Sequence, residues 1–396
     1  PACTGRVCAW ERQCEGACPL ARKGQAIAIG ALERYLAEKG LAHLGLDSQD
    51  AACSLAGPWP SGRQAIPQGD VAVVGAGPAG LACASTVALA GLRPVVLDSW
   101  VAPGGVMSYG IPEFVLPKAV LAREIRRLQR LGVQFVQLVR VGRDISVEEL
   151  LAMGFRAVFV AVGANEPARA GVPGEDLQGV VSARDFLMEV ALGRLRSGPQ
   201  DGQAWRPPGR PLEGLRVVVI GAGNTAMDAA RTALRLGAAS VQVLYRRARE
   251  HSPSRSVEMA LAEEEGVQFQ FLVSPVRFVG EQGMVRGVEL VRMQPGPPDE
   301  SGRPKPVPVP GSEHAVPADR VILAVGYRVE ADLPERTPGL RTASGGRIVV
   351  ADATGATELP GVWAGGDCVT GPNTVVHAIA AGRRAGEAIV AYLKGA

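Results

Sequence analysis

Two glycine-rich stretches follow runs of apolar residues, and they differ at the position that selects a nucleotide. The first has Gly75, Gly77, Pro78, Ala79 and Gly80 after Val71 to Val74, and its next apolar run ends in Asp98. The second has Gly221, Gly223, Asn224 and Thr225 after Val217 to Ile220, and its next run ends in Arg246 and Arg247. In a βαβ unit the first glycine permits the tight strand-to-helix turn. The second lets backbone approach a pyrophosphate, and the third position must be small so that helix packs on strand. The helix N-terminus then offers free N–H groups and a favourable dipole to the anion. An acid at the end of the second strand accepts ribose hydroxyls, whereas arginines there suit a ribose bearing a 2′-phosphate. The pair of motifs implies two bound dinucleotides, one of them NADPH. The competing readings are a strand-end cap for Asp98, ordinary capping for Asn224 and Thr225, and a solvated basic face for the arginines. The spacing favours the nucleotide each time.

The chain has 396 residues, enough for two or three domains, and 47% hydrophobic content permits full cores. Net charge is only +3, and no basic tract carries interleaved aromatics, which argues against nucleic acid. The stretch from Val71 to Leu92 carries no charge and has the length of a membrane span. Its glycines and Pro78 sit where a nucleotide-binding turn needs them, so no membrane insertion is expected. No signal peptide opens the chain, and a start at Pro1 rather than Met reads as a fragment.

Four of the seven cysteines lie in the first 18 residues: Cys3, Cys8, Cys14 and Cys18. A secreted disulfide scaffold would be small and cysteine-dense throughout. A zinc site favours C-x-x-C pairs, and there are none. The spacing of Cys8, Cys14 and Cys18 fits iron–sulfur ligation better, with an inert or zinc role still open on spacing alone. Cys83 falls in a helix core and Cys53 in a loop. The four histidines form no ligand spacing.

Periodicity places these residues on elements. A helix is expected over 27–39, then a polar linker over 48–70. The first βαβ unit spans 71–98. An amphipathic helix follows over 119–132, then strands at 133–139 and 157–162. Residues 197–214 read as a surface loop. The second βαβ unit spans 217–245, with a helix after it over 257–266. A proline-rich loop at 294–311 reads as a hairpin tip. Strands at 321–325 and 361–364 are expected to return to the first domain, and a helix over 374–393 closes the chain. The expected architecture is α/β with two Rossmann-like domains, the second inserted in the first. A dinucleotide-binding domain would take 68–165 and 322–396, an NADPH domain 166–321, and a helical N-terminal segment 1–60.

Several stretches resemble one family. GGVMSYGIPEFVLPK at 104–118 is similar to its glycine–tyrosine–proline signature, and GVWAGGDCVTGPNT at 361–374 to its flavin block. GAGNTAMD at 221–228 with Arg246 and Arg247 resembles its NADPH segment. GRVC at 5–8, Cys14, Cys18 and IGALE at 29–33 resemble its iron–sulfur region. The family is the small (beta) subunit of NADPH-dependent glutamate synthase. Relatives are the flavin subunits of dihydropyrimidine dehydrogenase and of NADPH:ferredoxin transhydrogenases. The resemblance implies a glutathione/adrenodoxin-reductase-like fold, FAD, NADPH and 4Fe-4S clusters. It places Asp98, Gly105, Val106, Gly110, Gly366, Asp367 and Thr374 at FAD, and Asp228 and Gly326 at NADPH. It makes Cys8, Cys14 and Glu33 ligands of one cluster and Cys18 a ligand of the other, an incomplete set. Two departures stand out. Val115 replaces a basic residue, and Thr4 stands where the family has a cysteine, with Cys3 one position off.

The expected activity is hydride transfer from NADPH to FAD, then electron delivery through 4Fe-4S clusters to a larger glutamate synthase-like subunit. A pyrimidine-reducing or ferredoxin partner is the alternative, and a non-catalytic FAD- and NADPH-binding regulatory subunit the alternative of another class. A cytoplasmic location follows the same resemblance. Hydride transfer needs aligned rings more than an acid or base, so no catalytic side chain is named. The NADPH domain has no C-x-x-C, which removes the disulfide-reductase reading. The ligand count yields a prediction: these 396 residues, reconstituted anaerobically, should hold flavin but little intact cluster, since a cubane wants four protein ligands. Iron analysis yielding about eight irons per flavin, two full 4Fe-4S clusters, would contradict it.

Overall fold

The computed structural model describes residues 2–43, 64–197, 211–299 and 302–395. The chain divides into two compact units. The first takes in the described residues up to Glu166, 195–197 and 327–395; the second takes in Pro167–Arg194 and the described residues from 211 to Gly326. The return crossing at Gly326 lies a few residues later than expected.

In chain order the principal elements are α1 (Ile29–His43), β1 (Val71–Val74), α2 (Pro78–Leu89), β2 (Pro94–Asp98), α3 (Lys118–Arg130), β3 (Gln134–Gln137), α4 (Val147–Ala152) and β4 (Ala157–Val160). The second unit holds β5 (Val180–Ser182), α5 (Ala183–Ser197), β6 (Arg216–Ile220), α6 (Asn224–Arg235), β7 (Ser240–Tyr245), α7 (Ser256–Glu264) and β8 (Gln268–Phe271). It continues with β9 (Val273–Glu281), β10 (Met284–Pro298), β11 (Pro304–Pro308), β12 (His314–Pro317) and β13 (Arg320–Leu323). The chain then returns through β14 (Val362–Ala364) to α8 (Val375–Lys394).

The first unit is a parallel sheet in the order β14–β4–β1–β2–β3. Every residue of β1, β2 and β4 is buried, because a parallel sheet is covered on both faces. Val71, Val73 and Val96 enter one core with residues of α2, α3 and α8, while Ala72, Val74, Val95 and Leu97 enter the core on the other face. Ala2 and Cys3 join the first of these cores, anchoring the N-terminal segment.

The second unit repeats the design with a parallel sheet β5–β13–β6–β7–β8. Here the sequence expectation needs correction. The strand expected over 321–325 does not return to the first domain; Arg320–Leu323 lies between β5 and β6. Four alternating or apolar residues look the same in either sheet, and only the pairing partner decides. The proline-rich stretch 294–311 also differs from a plain loop. Its prolines occupy the last residues of β10 and alternate positions of β11, an antiparallel pair, and β12 pairs with β10 as well. Prolines are tolerated there because β11 is an edge strand. Most of the expected loop 197–214 and linker 48–70, and Cys53, lie outside the described residues.

Helix α8 lies close against α2. A Cβ on Gly382 would come 1.9 Å from the Ala79 carbonyl oxygen, and one on Gly386 2.8 Å from Thr86 Cβ. Gly382→Val should therefore lower stability by about 2 kcal/mol or more, as overpacking does. Chemical denaturation of the flavin-free protein measures it, and an unchanged midpoint would contradict the packing.

Candidate functional site

Three backbone segments converge at the start of α2. Gly75 has φ +106, and a Cβ there would lie 2.4 Å from the Ala161 oxygen. A Cβ on Gly80 would lie 1.9 Å from the Gly75 oxygen, so helix and turn touch directly. Gly77 is different: a Cβ there would meet nothing within 4 Å. It faces open space at the helix N-terminus, where no side chain caps the first N–H groups. That is a cradle for an anion.

The second segment is the turn at 104–110. The Gly104 N–H donates to the Ala76 oxygen at 2.8 Å, and a Cβ on Gly105 would come 2.9 Å from Gly77 Cα. Val106 is exposed beside it, and Gly110 closes the short helix Val106–Tyr109. The third is the Gly365–Gly366 turn. Gly366 has φ +78, and a Cβ there would come 2.9 Å from Ala79 Cβ. Two residues that sequence reasoning did not single out hold the second segment. Buried Lys118 donates from Nζ to the Met107 oxygen at 2.7 Å and to the Ile111 oxygen. The Tyr109 hydroxyl donates to the Ala102 oxygen at 3.0 Å and accepts from its N–H at 2.8 Å. Their signal was the run ending in Pro117-Lys118, legible only by resemblance.

Asp98 closes β2, nearly buried. Its Oδ2 accepts from the Ala76 N–H at 2.6 Å and its Oδ1 from the Trp100 N–H at 2.8 Å. Burial raises its pKa to about 6, against the pull of those two donors. Each oxygen keeps a second lone pair, which fits a ribose hydroxyl. Asp367 is raised to about 6 by burial as well, and accepts from the Asn373 N–H at 3.2 Å. Thr374 precedes α8 without capping it; its hydroxyl bonds His377 Nδ1 at 2.6 Å and accepts from Gln13 Nε2 at 3.3 Å. The uncapped start of α8 favours nearby negative charge.

The second fingerprint is built alike. Gly221 has φ +117, with its would-be Cβ 2.3 Å from the Ala324 oxygen. A Cβ on Gly223 would meet only Pro253, at 3.8 Å, so this approach is open. Asn224 starts α6 and accepts from the Arg255 N–H at 2.9 Å; Thr225 and Asp228 follow on the same helix. Gly326, φ +115, has open space where a side chain would go. The two arginines part ways. Arg246 is exposed and makes no ion pair among the described residues, whereas Arg247 is buried and paired with Asp299.

The N-terminal segment does not gather its expected ligands. Cys8 and Cys18 are buried and Cys14 is exposed. The Glu33 carboxylate accepts from the Thr4 hydroxyl at 2.7 Å. Among the described residues no group of three or more His, Cys, Asp or Glu is arranged to hold a metal ion. The residues as placed therefore do not form a cluster cage. Their chemistry still separates them. N–H groups of Ile27, Leu20 and Ala21 hold the Cys18 thiol below its ordinary value, which favours a ligating thiolate. Burial pushes Cys3 up to about 12 and keeps it a thiol.

Comparison with known proteins places this geometry. Residues 69–382 match the pyridine nucleotide-disulphide oxidoreductase family, and residues 1–44 match dihydropyrimidine dehydrogenase domain II, 4Fe-4S cluster. The glutamate synthase [NADPH] small chain of Halomonas elongata is 41% identical over 99% of this chain and 80% of its own length. The NADP(+)-dependent formate dehydrogenase subunit beta of Moorella thermoacetica is 39% identical over 98% of this chain, but only 54% of its own length is covered. In fold, the chain is similar to Mycobacterium tuberculosis FprA in complex with NADPH, with TM-score 0.66 and 23% identity over 82% of this chain and 84% of that one. Among the described residues no helix is long and apolar enough to cross a membrane.

The buried acids give the flavin-free protein a distinctive pH profile. Asp98 and Asp367 have folded-state pKa values raised to about 6, so the stability they add is fully present below their unfolded values and lost as pH climbs through about 6. Glu265 and Asp319 behave oppositely. Burial opposes ionisation of Glu265, yet hydrogen bonds from Arg235 and Arg231 hold it at about 2; the Arg216 hydrogen bond holds Asp319 at about 2. Their contribution is present above the unfolded pKa and lost on acidification. The melting temperature should rise from about pH 7 to about pH 5, then fall below about pH 4. Bound flavin should flatten the first limb by favouring ionised Asp98. Calorimetry that finds stability falling steadily from pH 7 downward would contradict this.

Proposed function

We propose that this chain, which belongs to the pyridine nucleotide-disulphide oxidoreductase family and within it to the NADPH glutamate synthase small chains, delivers electrons from NADPH and FAD to a larger partner of the glutamate synthase large-subunit kind. The chain is an NADPH-dependent flavin oxidoreductase. Its acceptor is the proposed part. The observation that supports the reading most directly is the pair of open helix starts, one facing a second strand that ends in Asp98 and the other a second strand followed by Arg246.

FAD supplies a hydride acceptor that can release electrons singly. The residues of this chain bind and orient. Gly77 leaves room for a pyrophosphate at the α2 N-terminus, and Asp98 offers acceptors to a ribose. Lys118 and Tyr109 fix the turn carrying Gly105 against Gly77. The uncapped start of α8 offers positive partial charge, which stabilises negative charge developing on a nearby ring. Gly223 leaves room for the second pyrophosphate, and exposed Arg246 is a bidentate donor for a 2′-phosphate. No step through an iron–sulfur cluster is assigned. A pyrimidine- or ferredoxin-reducing partner is the second reading, supported by the match of residues 1–44.

Two substitutions test the binding roles. Because a side chain at Gly77 meets open space, Gly77→Val should leave the flavin-free fold intact and lose FAD. A purified variant that stays fully yellow would sink the assignment. Arg246→Ala should lower kcat/KM for NADPH by about ten- to a hundredfold while NADH barely changes. Equal losses for both nucleotides would remove Arg246 as the selector. For the acceptor, NADPH should bleach the flavin alone, and with the cluster ligands completed, mixing with a purified glutamate synthase large subunit should restore its colour. Failure to reoxidise there, with reoxidation by ferredoxin, favours the second reading.

A further inference from the structure

Arg247 is spent on a different task from its neighbour. It is 6% exposed, its Nε donates to the Pro304 oxygen at 3.0 Å, and it pairs with the Asp299 carboxylate. Asp299 and Pro304 flank the turn between β10 and β11. There Asp299 Oδ1 also accepts from the Arg303 N–H at 3.3 Å, and Pro298 pairs with Pro304. This end of the hairpin is rich in prolines, at 295, 297, 298, 304, 306 and 308. Prolines donate no ladder hydrogen bonds, so the strands alone hold it weakly. The Arg247 side chain ties it down instead. The Arg247 oxygen also accepts from the Leu272 N–H at 3.2 Å, and the Leu272 oxygen from the Met293 N–H at 2.7 Å, which brings β10 alongside.

The consequence is a small, open hollow at the end of β7, where a nucleotide fold puts its ribose selector. Arg246, His251, Gln294, Pro295 and Pro304 are among its walls. Three of these five thus come from the hairpin and two from the segment after β7. A carboxylate already neutralises Arg247. Were Arg247 to grip a phosphate, Asp299 would stand as a like charge beside it.

We propose that the β10–β11 hairpin, latched by the Arg247–Asp299 pair, is the outer wall of the subsite for the adenosine 2′-phosphate. Arg247 is then a positioning residue, and Arg246, with His251 and Gln294 near it, meets the phosphate. This rests on the NADPH reading above and adds a residue-level division of labour to it.

The test is calorimetric titration of the full chain with 2′,5′-ADP and with 5′-AMP, which differ only in the 2′-phosphate. Asp299→Asn keeps an acceptor for the Arg303 N–H and replaces the charged oxygen that Arg247 meets with a neutral amide group. It should weaken 2′,5′-ADP by about tenfold, in the range of a directly coupled pair, and leave 5′-AMP unchanged. Arg247→Ala should do the same, and the double variant should be no worse than either single one. Should Arg247→Ala fail to fold, Asp299→Asn decides alone, since Asp299 is half-exposed. If Asp299→Asn leaves 2′,5′-ADP unchanged or binds it tighter, Arg247 contacts the phosphate itself and the latch is overturned. If the unaltered chain binds both ligands equally, the subsite and the NADPH reading fall together.

Discussion

Everything at the flavin end depends on backbone meeting backbone where side chains would stand in the way. Gly80 lets the first turn of α2 rest on the Gly75 carbonyl, and Gly382 lets α8 rest on Ala79. Those approaches are closer than any Cβ allows. They pull β1, α2 and α8 together until the turns at Gly105 and Gly366 both reach the α2 N-terminus. The helix start stays uncapped and faces space rather than protein. Unsatisfied N–H groups in such a place are costly in an empty fold and useful in a loaded one. The raised pKa of Asp98 and Asp367 tells the same story from the acid side: both carboxylates are held in surroundings that suit a bound partner better than an empty site.

The second unit shows that the same backbone device carries opposite electrostatics. Gly221 and Gly223 do what Gly75 and Gly77 do, and Ala226 is fully buried in the third small position. What changes is the end of the second strand. A buried acid stands there in the first unit, and an exposed arginine beside a paired one in the second. The backbone geometry is therefore shared by the two units, and the charges at the strand ends are what set them apart.

The N-terminal segment follows a different logic. Its thiols are sorted by environment rather than by spacing. Three N–H groups bend toward Cys18 and make its thiolate easier to form, while Cys3 sinks into the core of the first unit and stays protonated. Glu33 is occupied by Thr4, the residue that stands where the family places a cysteine. A hydroxyl in that position gives the carboxylate a donor, where a thiolate would have given a metal a ligand.

The sequence by itself determined the two nucleotide units, because glycine at a positive φ and small residues under a helix are requirements that no distant contact can substitute. It determined the nature of the strand-end residues too, since the acid at Asp98 and the base at Arg246 are read directly from the chain. The tertiary structure alone decided the rest. The sheet that receives Arg320–Leu323 is a matter of pairing partners, which a short, mostly apolar run does not encode. That Arg247 faces the hairpin and not solvent depends on Asp299, 52 residues away. Lys118 became visible as a clamp only once Met107 and Ile111 turned their carbonyls toward it. Local backbone demands are written in the chain; the partner of a long side chain is fixed only when distant segments meet.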